Sequence, residues 1–305
     1  MASIAFVFPG QGSQYVGMGK DLYLQNATAK SLFDHADELL GFSLSRICFD
    51  GPEDELRQTR NTQPAIFLHS IVVARLLEGL APEMAAGHSL GEYSALVAAR
   101  ALSFEDGLKL VRLRGELMQQ AGETNKGTMA AIVGLQPDEV TTVCKEASSA
   151  GVVEPANFNS PGQTVVSGSV DGVHKAMELA KHRGAKLVKE LVVSGAFHSP
   201  LMQSAREGLR AALDEIDIHD AAIPVYANVT AEPVQHAQEI RELLYKQVTS
   251  PVLWEQSVRN MVRDGASTFQ EVGPGKVLQG LIKRTEPSVQ IGGFDKFADL
   301  QAVAK

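Results

Sequence analysis

Met84-Ala85-Ala86-Gly87-His88-Ser89-Leu90-Gly91 is a short apolar run that ends in a glycine-flanked serine, and Glu92 to Ala99 continues it as a helix-like stretch. Strand, sharp turn and helix in direct succession are the repeating unit of an α/β architecture. The G-x-S-x-G order has a mechanical reason at such a turn. The serine must sit on a tight, strained bend for its hydroxyl to project free of backbone, and the flanking glycines remove side chains that would collide there. The helix that follows points its N-terminal amides at the same spot, where they stabilise a developing oxyanion. The competing reading is a glycine-rich turn with an incidental serine, and the strand-to-helix context favours the nucleophile.

Working outward, Ser3 to Phe8 is an apolar strand stopped by Pro9-Gly10. Thr62 to Leu80 carries Ile66, Leu68, Ile71, Val72, Leu76 and Leu77 at helical spacing, with Pro64 near its start, where proline is tolerated. The middle of the chain has another rhythm. Strand-like Thr128–Leu135 precedes helix-like Pro137–Ser149. Two strands, Val152–Phe158 and Gln163–Ser167, flank the turn Asn159-Ser160-Pro161-Gly162. A helix over Asp171–Arg183 and a strand over Ala185–Val193 follow. This β-α-β-β-α-β order is the split arrangement of a ferredoxin-like unit. It predicts a small domain at 123–193 inserted in a larger α/β domain made of 1–122 and 194–305. Beyond it the elements alternate again: Pro200–Ile216, Ile223–Val229, Gln238–Val248, Ser267–Val272 and Val277–Lys283.

Composition bounds the function. The 305 residues are 44% apolar and 21% charged, enough apolar side chain to bury a core, so disorder is excluded as the main state. No run approaches the roughly 18 apolar residues of a membrane span. A formal net charge of -8 argues against nucleic acid as a partner. The Met1-Ala2-Ser3-Ile4 start lacks the basic opening of a secretory signal, and Cys48 and Cys144 are far apart, so a reduced, cytoplasmic compartment is expected.

A serine hydroxyl needs a base at neutral pH. Of eight histidines, His35, His174 and His219 fall among charged residues of helical stretches, and His69 lies in an apolar helix as a packing residue. His88 is next to the serine, and adjacent residues on a sharp turn point apart. His198 follows the strand-and-loop Val192-Val193-Ser194-Gly195-Ala196-Phe197 and precedes a helix start at Ser199-Pro200. Loops at strand ends are where α/β folds gather catalytic groups, which makes His198 the leading candidate. Arg114 stands in the middle of the apolar stripe Leu110, Val111, Leu117, Met118. A guanidinium facing a core is costly unless paired. Either an internal acid pairs with it, or a substrate carboxylate is gripped by its planar fork. Phe8-Pro9-Gly10-Gln11-Gly12-Ser13-Gln14 is not a phosphate loop, because G-x-G-x-x-G is absent, and Gly273-Pro274-Gly275-Lys276 fails the P-loop spacing. The first loop better suits supply of a backbone N–H to an oxyanion hole, as in hydrolase-like folds.

Together these segments resemble the malonyl-CoA:acyl carrier protein transacylase family. The matching pieces are Phe8–Gln14, Thr62-Gln63-Pro64-Ala65, Gly87–Tyr93, Arg114-Gly115, Asn157–Gln163, Phe197-His198-Ser199 and Glu271–Lys276, in the family's order across almost the whole chain. The resemblance implies an α/β-hydrolase-like large domain with a parallel sheet and the ferredoxin-like insertion. It implies Ser89 as nucleophile and His198 as its base, the latter oriented by a main-chain carbonyl at Gln247. It further implies an oxyanion hole from the N–H groups of Gln11 and Leu90, and Arg114 as holder of the malonyl carboxylate. Met118, Gln63 and Asn157 would belong to the substrate pocket. The expected reaction passes a malonyl group from coenzyme A through a serine ester to the phosphopantetheine thiol of acyl carrier protein, with no metal or bound cofactor. Phe197 departs from the small residue often found before the histidine in fatty-acid members. In related polyketide acyltransferases an aromatic there accompanies malonyl over methylmalonyl, so malonyl preference is expected, and a discrete polyketide acyltransferase is the alternative setting. The carrier is expected to be acidic, with Lys186, Lys189, Lys283 and Arg284 as basic docking candidates, and the enzyme a monomer. Two rivals remain on the sequence. An acyl hydrolase would share Ser89 and His198 without needing Arg114, and a non-catalytic docking subunit would need neither.

Overall fold

The computed structural model describes residues 3–77 and 79–301. Its strands are β1 (Ser3–Phe8), β2 (Met84–Gly87), β3 (Gly127–Val133), β4 (Val153–Ser160), β5 (Gln163–Ser169), β6 (Leu187–Glu190), β7 (Val225–Tyr226), β8 (Pro233–Val234), β9 (Ala266–Val272) and β10 (Gln290–Phe294). They form two sheets. The larger runs β10-β9-β1-β2-β7-β8 and is parallel except for the short β7–β8 pair at its edge. The smaller runs β4-β5-β3-β6 and is antiparallel throughout, the strand order of a ferredoxin-like unit. The expected fold class, a parallel α/β sheet with a ferredoxin-like insertion, is therefore the observed one.

β1 reads as an unbroken apolar run because it lies inside the large sheet with both faces covered. Its alternation sorts side chains between two cores. Phe6 and Phe8 join the larger cluster with Phe67, Leu110 and Val111, while Ala5 and Val7 face Trp254, Val258 and Ile282. A third cluster, including Ile132, Val140, Val166 and Val173, fills the small unit between its sheet and the Pro137–Ala147 and Val170–His182 helices.

Several elements differ from their sequence reading. The helix expected from Thr62 runs over Thr59–Leu76, which puts Pro64 in its interior rather than at its start. An interior proline removes the bond to the carbonyl four residues back. That carbonyl, of Arg60, accepts instead from Arg112 Nη1 at 2.9 Å, so the helix continues without an orphaned acceptor. The strand read over Ala185–Val193 keeps only Leu187–Glu190, because Leu191 and Val193 leave the sheet to line a pocket. The one read over Ile223–Val229 keeps only Val225–Tyr226. The helix read from Pro200 opens as a 3-10 turn, Pro200–Met202, before Gln203–Glu215. The Trp254–Arg263 helix, absent from the sequence reading, covers one face of the large sheet.

Close helix packing explains the Arg-Gly order within the apolar stripe, at Gly115. This glycine brings the Phe104–Thr124 helix against the start of the Thr59–Leu76 helix, where a Cβ would come 2.7 Å from the Thr59 carbonyl oxygen and 2.9 Å from Arg60 Cα. Both are backbone atoms and cannot swing aside. Gly115→Ala is therefore expected to destabilise the fold by about 1–3 kcal/mol. Urea unfolding of the two proteins checks this through the shift in midpoint at constant slope; an unchanged midpoint refutes the contact.

Candidate active site

The G-x-S-x-G turn sits between β2 and the Gly91–Ala98 helix. Ser89 has φ 52°, the left-handed region that non-glycine residues rarely occupy. Its glycines have distinct reasons. A Cβ on Gly87 would run into the Gly91 carbonyl, and one on Gly91 into the carbonyl of Phe8. Gly10 in the first loop is bare for the same reason, against the His88 carbonyl. The turn is thus packed backbone to backbone against the end of β1.

His198 also has a left-handed backbone, φ 57°. Its Nε2 is 2.8 Å from Ser89 Oγ, and its Nδ1 is 3.0 Å from the Gln247 carbonyl and 3.1 Å from that of Ser250. Two carbonyls can only accept, so they hold the proton on Nδ1 and leave Nε2 free to take one from Ser89. Burial, then the positive charge of Arg114, pushes the His198 pKa down to about 3, against the pull of the two carbonyls. The imidazole is accordingly neutral at pH 7.

Arg114 is 1% exposed, on the Phe104–Thr124 helix. Its Nη1 donates to Gln63 Oε1 at 2.7 Å. Its Nη2 donates to Gln247 Oε1 at 2.9 Å and to Ser89 Oγ at 3.1 Å. The guanidinium lies over the Tyr93 ring, 5.5 Å from its centroid, and its Nε has no partner. Among the described residues no acid is ion-paired with it. Glu92 comes nearest in effect, linked through Gln247, whose Nε2 donates to Glu92 Oε2 at 2.8 Å and to the Ser89 carbonyl at 3.0 Å. Burial raises Glu92 to about 7, against the opposing pull of the Asn228 N–H, Gln247 and Arg114. The open alternative of an internal ion pair for Arg114 is answered by neutral oxygens.

Ser89, His198 and Arg114 open onto one cavity of about 220 Å³. Gln63 and Met118 form its inner wall beside Arg114, with a Gln63 Nε2 to Met118 Sδ distance of 3.3 Å. Phe197 lines it beside His198, and Asn157 of β4 brings in the small sheet. Leu191, Val193 and Leu281 make its flank apolar. Gln11 and Leu90 also line the cavity, and among the described residues neither backbone N–H has an acceptor within the chain. Gln11 is held through its side chain, which donates to Thr59 Oγ1 at 3.3 Å. Gln247 stands behind the cavity rather than in it. His88 points away from Ser89, its Nε2 2.8 Å from Asn159 Oδ1. His69 does not line the cavity; it is wholly buried with Nε2 3.2 Å from Asp295 Oδ1. Glu92, Asn228 and the Ser250 carbonyl were missed in the sequence. Glu92 had a signal, an acid amid the apolar Leu90–Ala99 stretch, and Asn228 had none.

The sequence matches the acyl transferase domain family over residues 5–296. It is 50% identical over 287 residues to a malonyl CoA-acyl carrier protein transacylase of Bacillus subtilis (strain 168), covering 93% of this chain and 90% of that one. A protein of the same name from Staphylococcus aureus (strain MW2) is 42% identical over 302 residues, 99% of this chain and 98% of its own. Among solved structures, the malonyl CoA-acyl carrier protein transacylase from Coxiella burnetii superposes with a TM-score of 0.96 at 40% identity, covering 99% of this chain and 96% of that one. A malonyl-transacylase in complex with its type II polyketide acyl-carrier protein superposes with a TM-score of 0.96 at 39% identity, covering 99% of both chains.

Arg114→Ala removes the second-largest cause of the His198 depression, so the imidazole pKa should rise toward its ordinary 6.5. Histidine is a base only when neutral, so acetyl transfer by this variant should lose its activity at higher pH on the acid side than the unsubstituted enzyme does. Imidazole ¹⁵N titration by NMR reads the shift directly, and an unmoved resonance contradicts it.

Proposed function

The chain belongs to the malonyl-CoA:acyl carrier protein transacylase family, and on that premise we propose how its residues move a malonyl group from coenzyme A to the phosphopantetheine thiol of acyl carrier protein, supplying extender units for fatty acid synthesis. The observation that carries the reading is a buried guanidinium that, among the described residues, is ion-paired with no acid, 3.1 Å from a serine hydroxyl that is 2.8 Å from a neutral imidazole.

Malonyl-CoA places its free carboxylate on Arg114, which exchanges its bond to Ser89 Oγ for a charged one. That exchange frees an Oγ lone pair and offsets the charge that depresses His198. His198 Nε2 takes the hydroxyl proton as Oγ attacks the thioester carbonyl. The N–H groups of Gln11 and Leu90 receive the oxyanion, each worth about 3 kcal/mol. Collapse breaks the C–S bond, and His198 returns the proton to the departing coenzyme A sulfur. The malonyl–Ser89 ester remains. The carrier's thiol then gives its proton to His198, attacks the ester, and restores the Ser89 hydroxyl by the same steps reversed. Proton and acyl group are accounted for by Ser89, His198 and two amides, so the proposed reaction draws on no metal or bound cofactor. An acyl hydrolase clearing neutral groups has no use for Arg114, which sets that rival aside.

Phe197 fills space beside His198, which accounts for malonyl over methylmalonyl. Acyl carrier protein, acidic in the proposed pairing, docks at the basic rim. Lys283 and Arg284 end the Val277–Thr285 helix, whose Val277, Leu278 and Leu281 line the cavity, and Lys186 and Lys189 are exposed at β6. Arg284 is partly committed, with Nη2 donating to Gln163 Oε1 at 3.1 Å. Among the described residues no helix is long and apolar enough to cross a membrane. We place the enzyme in the cytoplasm as a monomer, in keeping with two free, buried cysteines.

Incubation with malonyl-CoA followed by peptide mass analysis should find one malonyl adduct on Ser89, discharged by added acyl carrier protein. Rapid release of free malonate would support the hydrolase instead. Arg114→Ala should lower malonyl transfer by ~10²–10³-fold, the size of effect expected when a buried charge loses its partner, while sparing acetyl transfer. Phe197→Ser should let methylmalonyl-CoA compete, and unchanged competition would remove Phe197 from the specificity argument. Charge reversal at Lys189 or Lys283 should raise KM for the carrier alone; equal effects on both substrates would dismiss the docking assignment.

A further inference from the structure

We infer that Asn228 is a positioning residue for the nucleophile, its side-chain amide closing the left-handed turn at Ser89, with Glu92 anchoring it. The inference rests on the reading of Ser89 as the nucleophile.

Asn228 follows β7 and is 1% exposed. Its Oδ1 accepts from the Ser89 backbone N–H at 2.6 Å, and its Nδ2 donates to the Gly87 carbonyl at 2.6 Å. One planar amide thus spans the turn, satisfying a donor and an acceptor that the bend leaves without backbone partners. Its backbone is fixed in turn: the N–H donates to Glu92 Oε2 at 3.0 Å and the carbonyl accepts from Leu253 N at 3.0 Å. The same Glu92 oxygen receives Gln247 Nε2, which also donates to the Ser89 carbonyl. Side-chain amides therefore hold the peptide groups on both sides of the Ser89 Cα, and one buried Glu92 oxygen ties the two residues together, accepting from the backbone N–H of Asn228 and the side-chain amide of Gln247. Reaction geometry is sensitive at this level, since a misplacement of about 1 Å can cost about 10²-fold in rate. Asn228 touches no reacting atom. Its effect is on where Oγ stands, so it should act on kcat and leave malonyl binding at Arg114 in place.

Aspartate is the discriminating substitution. It has the shape of asparagine, but its carboxylate cannot donate to the Gly87 carbonyl. Only the protonated acid can accept from Ser89 and donate to Gly87 together. The titratable and charged groups around the bracket are Glu92, in direct contact, and Arg114, His88 and His198, which line the same cavity.

The test measures malonyl transfer by the full chain for the unsubstituted enzyme, Asn228→Ala, Asn228→Asp and Ser89→Ala, with far-ultraviolet circular dichroism at each pH to count folded protein. Expected are a fall of about 10²-fold in kcat for Asn228→Ala with KM for malonyl-CoA within about threefold, and an Asn228→Asp enzyme whose kcat, relative to the unsubstituted enzyme, climbs as pH falls. Should the alanine variant not fold, the pH profile of the aspartate variant decides alone. The inference is overturned by unsubstituted kinetics in both Asn228 variants, by an Asn228→Asp loss equal at every pH, or by a loss that only follows the fraction folded. Full activity in Ser89→Ala would instead overturn the nucleophile assignment beneath it.

Discussion

A buried guanidinium whose hydrogen-bond partners, among the described residues, are all neutral sets the terms of this pocket. Arg114 is removed from water, which is costly for a cation, and its compensation comes from the amide oxygens of Gln63 and Gln247, the Ser89 hydroxyl and the Tyr93 ring. Neutral acceptors make the burial tolerable without quenching the charge. The same arrangement acts on the neighbouring imidazole, because burial first, and then the permanent cation close by, favour the neutral form of His198. Gln247 binds the two effects into one object: its side chain meets Arg114 and its main-chain carbonyl meets His198.

The scaffold brings these groups together at the end of the parallel sheet, and both central residues stand in unfavoured backbone. Ser89 and His198 each occupy the left-handed region, which persists only where surroundings over-determine it. At Ser89 the surroundings are glycine contacts to β1 and amide brackets from two distant segments. The small sheet adds a wall to the cavity, joined to the large unit where Asn157 bridges Val252 and Phe158 N donates to the Val252 carbonyl. The cavity is therefore lined from both units, with Ser89, His198 and Arg114 belonging to one.

Features decided by local chemistry were legible in the sequence. The apolar β1, the strand–turn–helix around Ser89 and the alternating order of the insertion follow from periodicity and turn residues. Arg114 stood out because a charge in an apolar stripe violates a simple rule. Less legible were features made by distant parts meeting. Pro64 suggests a helix start, and only the contact with Arg112 explains how it sits in the interior. Asn228 is an ordinary polar residue after a strand, and its partner turn lies 139 positions away in the chain. Gln247 was placed by its backbone, whereas its side chain, joining Arg114 to Glu92, had no signature. Leu191 and Val193 read as strand because they are apolar, yet the pocket claims them.

Two peptide carbonyls, rather than a carboxylate, stand behind His198. Dipoles orient the ring but give an imidazolium less support than a full negative charge, so the base is feeble. Such a base is matched to a pantetheine sulfhydryl, whose acidity near the ordinary thiol value of about 8.5 asks little of it. The Ser89 hydroxyl is as weak an acid as water and gains nothing from that match. What the serine has instead is a fixed seat, 2.8 Å from Nε2, and a held neighbour reacts where a diffusing one does not. Water has neither the acidity of the thiol nor the seat of the serine.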